Sequence, residues 1–117
     1  MRGIWLTSGL TLGLAALVAA ATAQTAPHRT DVEAGRMLAL HDCDACHIVA
    51  AHQQLPPLVP GYGPSFFEIA DRPDVSAQSL VAFLGHPHPL GRMPSPELTA
   101  DQAADVAAYI MTLRGQR

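Results

Sequence analysis

A chain of 117 residues with ten carboxylates, seven arginines and no lysine suits one small domain. It lacks the clustered basic face that nucleic-acid binding needs to neutralise phosphates. Only two cysteines are present, so any covalent or cofactor staple for so small a core has to run through them.

Residues 1–23, MRGIWLTSGLTLGLAALVAAATA, have a lone positive charge at Arg2, an apolar run, and the small-x-small ending Ala21-Thr22-Ala23. This pattern predicts a signal peptide cut after Ala23. Retained as an anchor, the stretch from Ile4 to Ala23 is nearly long enough to span a bilayer, and only then would a membrane be involved. Cleavage leaves six arginines against ten carboxylates, a formal −4 with histidines neutral. A docking surface on such a chain is expected to be acidic or apolar.

Residues 24–29 read as a short polar leader and 30–117 as the domain. Thr30-Asp31-Val32-Glu33 fits a capping box with Thr30 as N-cap, opening a helix to about His41 with Val32, Gly35, Leu38 and Ala39 on one face. Residues 48–63, IVAAHQQLPPLVPGYG, carry three prolines and two glycines and predict an ordered loop. A short helix over 65–70 should bury Phe66 or Phe67 together with Ile69. The next helix starts at Ser76 as N-cap and ends before Gly85, burying Leu80, Val81 and Leu84. HPHPLGRMPSP, residues 86–96, is extended by its four prolines. Thr99-Ala100-Asp101-Gln102 is a second capping box. It opens the clearest helix, with Ala103, Val106, Ile110 and Leu113 at helical spacing. No alternating strand pattern occurs.

The chemistry concentrates in HDCDACHIV, residues 41–49. A redox-active dithiol normally follows a strand, and here a helix leads into Cys43. A disulfide between Cys43 and Cys46 closes too tight a loop to stabilise much. Zinc needs four ligands, and only the scattered His41, His52, His86 and His88 could complete the set. The remaining use of Cys-x-x-Cys-His is c-type haem attachment, with two thiols joined to the macrocycle and the adjacent imidazole on its iron. A helical turn over 43–47 lets the thiols reach neighbouring edges of the ring while His47 turns beneath the metal.

With this motif the sequence resembles class I mono-haem cytochromes c of bacteria over essentially the whole mature chain. The resemblance rests on Gly35 eight residues before Cys43, the Cys43-Asp44-Ala45-Cys46-His47 motif, Gly63-Pro64 after a loop, Met93-Pro94, and a terminal helix carrying Tyr109. It implies an all-α domain of three to four helices wrapped around one haem c, attached through Cys43 and Cys46. It further implies that Met93 is the sixth ligand of the iron opposite His47, and that the Pro64 carbonyl bonds the other nitrogen of the His47 ring. His86 and His88 are rival sixth ligands. Met37 and Met111 fall inside helices and read as packing or surface residues. Phe66, Phe67, Ile69, Leu80, Leu84 and Leu90 could pack on the macrocycle. Two departures stand out: neither Leu38 nor Ala39 is the aromatic often found there, so Tyr109 meets smaller neighbours. The propionate-binding tryptophan is also absent, leaving Tyr62, Arg92 or His88 for that task.

The function implied is a non-enzymatic, periplasmic carrier that moves one electron at a time between redox proteins such as a dehydrogenase, reductase or oxidase. A dedicated cytochrome subunit of a periplasmic dehydrogenase is the alternative reading. A gas-binding or catalytic haem protein is a third, requiring an iron that Met93 leaves open.

Overall fold

The computed structural model describes residues 26–86, 93–94 and 97–116. The expected signal peptide lies outside the described residues, as do His88, Leu90 and Arg92. Among the described residues the regular structure is entirely helical: α1 Val32–Asp42, α2 Phe66–Asp71, α3 Ala77–Leu84 and α4 Ala100–Thr112. None of these helices is long and apolar enough to cross a membrane.

Local chemistry sets the starts of the helices. Ser65, Ser76 and Thr99 each form a capping box with the residue three positions on, Glu68, Ser79 and Gln102 respectively, so two otherwise orphaned amides are satisfied at each start. The first helix differs from expectation, because its N-cap is Asp31 and not Thr30. The Asp31 carboxylate accepts from both Glu33 N and Ala34 N at 3.0 Å, and a charged acceptor outcompetes a hydroxyl at the positive end of the helix. Glu33 is thereby released from the cap and pairs with Arg36 at 2.6 Å.

Helix α1 crosses α4 with backbone almost on backbone. A Cβ on Gly35 would collide with the Asp105 carbonyl and stand 2.9 Å from Val106 N, so only glycine permits this approach. The crossing also holds the leader. His28 Nε2–H donates to the buried Asp105 carboxylate at 2.8 Å, and Asp31 N donates to the same oxygen at 2.7 Å.

At the other end of α4, the Arg114 guanidinium donates to the carbonyls of Ala70 at 2.6 Å and Val75 at 2.7 Å. This fixes the turn between α2 and α3. The buried core is built on α4, through Val106, Tyr109 and Ile110, and includes Val49, Phe66, Leu80 and Leu84. Four of its members, Ala39, Ala70, Ala103 and Ala107, are alanines. So thin a set of side chains leaves space at the centre of the fold.

Candidate cofactor site

That space is a cavity of about 760 Å³, within the range that enclosed small-molecule and cofactor sites occupy. Cys43, Cys46, His47, Pro64 and Met93, the five residues singled out from sequence, all line it. Its walls are mainly apolar, with Phe66, Ile69, Leu80, Leu84, Leu98 and Ile110 among them. Of the other expected packing residues, Phe67 lies outside this lining and borders a separate surface recess beside Ile48 and Gly61.

The Cys-x-x-Cys-His segment is a single turn carried on the end of α1. Cys43 N still bonds the Ala39 carbonyl at 3.0 Å, and the amides of Cys46 and His47 both return to the Cys43 carbonyl, at 3.2 and 3.0 Å. Both thiols are free and half-buried. Burial pushes the Cys43 thiol up to about 11, and the neighbouring Asp42 and Asp44 carboxylates add to the shift. A reactive dithiol needs the opposite for its attacking thiol, one held low by positive surroundings, so the environment of Cys43 does not favour that role. No cluster of His, Cys, Asp or Glu with metal-holding geometry occurs among the described residues.

His47 is buried and held on two sides. Its Nδ1 lies 2.7 Å from the Pro64 carbonyl. A carbonyl can only accept, so Nδ1 carries the proton and Nε2 is the nitrogen left with a lone pair. Gly63 packs against the same ring, and a Cβ there would stand 2.7 Å from Nδ1 and closer still to Cε1. The Phe66 ring stands 5.5 Å away, tilted by 50°.

The backbone just after His47 is clamped as well. Tyr109 Oη donates to the Val49 carbonyl at 2.7 Å, and Phe66 N donates to the Ile48 carbonyl at 2.9 Å. Sequence reasoning left Tyr109 as a packing residue among small neighbours. Its hydroxyl bond spans 60 positions, and no local pattern announces it.

Of the rival sixth ligands, His86 is exposed and donates Nδ1–H to the Ala82 carbonyl at 2.6 Å, at the end of α3. It is absent from the cavity lining, whereas Met93 belongs to it. His41 is exposed and pairs with Asp42 at 2.6 Å, and His52 is exposed in the loop. Tyr62, expected near the propionates, does line the cavity. Arg72, which sequence reasoning missed, lines it too, together with Asp42, Asp74 and Glu97.

The residues present fit a large, flat, mostly apolar group bound by two thiols and one imidazole. The comparisons with known proteins agree. The family model Cytochrome c matches residues 32–114. The chain belongs to the cytochrome c family. It is also similar to Cytochrome c-552 from Bradyrhizobium diazoefficiens, with 38% identity over 102 residues, covering 87% of this chain and 93% of the relative. No solved structure matches it significantly. The four-helix, strand-free arrangement of the described residues is that of a class I mono-haem cytochrome c. Haem c with its iron is the covalently attached cofactor of the family, and Cys43 and Cys46 stand at the attachment spacing. Cytochromes c carry electrons to and from redox proteins.

Proposed function

We propose that this cytochrome is an exported, periplasmic one-electron carrier whose iron is held between His47 and Met93. In this reading Cys43 and Cys46 are the thioether attachments, and export follows removal of residues 1–23. The observation that carries the ligand assignment is that His47 and Met93 line the same cavity while His86 does not. Bound haem c supplies a one-electron Fe(III)/Fe(II) couple.

The chain's own residues prepare that couple. Pro64 fixes the tautomer of His47, keeping Nε2 free to ligate and making the imidazole a stronger donor. Met93 offers a soft thioether, which favours Fe(II) and raises the potential relative to a second histidine. Phe66, Leu80 and Ile110 exclude water from the walls, so little surrounding dipole has to reorient when the charge on the metal changes. An iron held by both His47 and Met93 would offer a small substrate no open coordination position, which supports a carrier.

Potentiometric titration of the protein recovered from the periplasm tests the reading. The expected result is one Nernstian wave of one electron, with the reduced protein inert to carbon monoxide. Rapid carbon monoxide binding would mean an open iron and would overturn the carrier assignment.

A further inference from the structure

Helix α2 has only six residues, and a helix that short does not hold its own end in water. It stops because Pro73 follows Arg72, which drives Arg72 into an extended conformation at φ −66° and ψ 134°. This helix end and the turn after it supply one side of the cofactor cavity, through Ile69, Arg72, Asp74 and Val75. Three carbonyls here are taken by one side chain from the end of α4. Arg114 Nε–H donates to the Ala70 carbonyl at 2.6 Å, and its Nη2 donates to the carbonyls of Val75 at 2.7 Å and Arg72 at 3.4 Å. Gly115 N adds a bond to the Asp71 carboxylate at 2.8 Å. Ala70 is fully buried, and a buried carbonyl that loses its donor is costly.

Charge gives this turn a role beyond packing. Arg72 is the one cation among the described lining residues, which also include Asp42, Asp74 and Glu97. It enters none of the ion pairs among the described residues, so its charge is not spent on a neighbouring carboxylate. Haem iron gains a positive charge on oxidation, and a cation facing the cavity disfavours that change. The turn sets where the Arg72 charge stands, and Arg114 sets the turn. Lysine cannot replace Arg114 in this, because guanidinium is a planar fork of fixed donors while ammonium is a point charge on a flexible stem.

We propose that Arg114 is a positioning residue for electron transfer: by holding the α2–α3 turn it sets the place of the Arg72 charge beside the haem, and through it the balance between Fe(II) and Fe(III). This rests on the carrier reading for the one-electron couple alone.

The test is a double-mutant cycle on the holoprotein, read by spectroelectrochemical titration as the Fe(II)/Fe(III) ratio at a fixed ambient potential. Arg72→Gln should lower that ratio by roughly threefold, the size expected of one charge acting through a partly aqueous medium. Arg114→Lys keeps the net charge, so a merely structural role would leave the ratio unchanged. Displacement of the Arg72 charge should instead lower it by about twofold. With Arg72→Gln already in place, Arg114→Lys should have no further effect, because the charge it acts through is gone. Val106→Ala trims a buried α4 residue outside the cavity lining, and should lower Tm without moving the ratio. Hydrogen exchange on the native holoprotein gives a readout for which no variant has to fold. The Arg114 Nε–H signal should exchange at least roughly tenfold more slowly than that of Arg36, whose bonds to Glu33 are exposed. A native ratio in Arg114→Lys, an equal effect of that change with Arg72 replaced, or equally fast exchange at Arg114 Nε would each overturn the positioning role. If the native spectrum and one-electron wave are normal while that happens, the positioning role fails and the carrier reading stands; a native protein without the wave would overturn both.

Discussion

Gly63→Ala probes the most confined contact of the site. An alanine Cβ would stand 2.7 Å from His47 Nδ1, and closer to Cε1, where ordinary contact begins near 3.4 Å. Ring or loop must retreat by roughly 1 Å in a close-packed interior. Overpacking of this kind costs about 1–3 kcal/mol. The retreat also stretches the 2.7 Å bond from Nδ1 to the Pro64 carbonyl, whose loss adds about 1 kcal/mol. The sum, about 2–4 kcal/mol, corresponds to a fall in Tm of roughly 10–30 °C for a domain this small. A weakened Nδ1 bond makes His47 a poorer donor, so the reduction potential should rise. Gly61→Ala is the control: its φ of 73° strains an alanine, but nothing lies within 4 Å of the added carbon. That variant should lose about 1–2 kcal/mol from backbone strain alone and keep its potential. Thermal unfolding and protein-film voltammetry on both variants measure the difference. If Gly63→Ala matches Gly61→Ala in Tm and in potential, the confinement of the His47 ring is refuted.

Tyr109→Phe leaves the buried Val49 carbonyl without its donor. It should cost about 1–3 kcal/mol by denaturant unfolding; a loss under about 0.5 kcal/mol would mean the bond is not made. Met93→Ala should keep the haem attached, lower the potential and admit carbon monoxide to the reduced protein, and an unchanged potential would remove Met93 from the iron. The leader clip gives a pH signature. The hydrogen bond to Asp105, with Asp101 and Asp31 close by, raises His28 above its ordinary 6.5. A histidine whose pKa is raised in the folded state stabilises fully below its unfolded pKa and loses that contribution as pH rises through the folded value. Stability should therefore decline from about pH 6 upward, and Asp105→Asn should flatten that decline. An identical pH profile in the variant would show that the pair does not titrate with folding.

What the sequence made legible follows from the range of each interaction. Ser65, Ser76 and Thr99 cap helices through residues three positions away, so pattern alone finds them. Thr30 and Asp31 are both competent caps. The choice between them involves a partner on α4, since the Asp31 amide is taken by Asp105, and a local reading cannot see it. The motif of Cys43, Cys46 and His47 is local and was plain, while Pro64 and Met93 came from resemblance to the family. The cavity brings all five together. The clamp of Tyr109 on Val49, the approach of Gly63 to the His47 ring, and Arg72 at the lining all depend on distant segments meeting. Burial of His47 is likewise a property of the assembled fold. Exposure of the apolar loop at Leu55 and Leu58 ran against what hydrophobicity suggests, because the side chain of Gln53 occupies the inside of the loop's turn with backbone bonds.

The central proposal is that His47 and Met93 would both hold the haem iron. The optical spectrum of the exported protein, oxidised and then reduced with dithionite, tests it most directly. The account expects c-type bands in the reduced state and a weak far-red sulfur-to-iron band in the oxidised state that disappears in Met93→Ala. Haem bands without the far-red feature in the native protein would contradict Met93 as ligand, and a protein without haem from a host able to attach it would contradict the site as a whole.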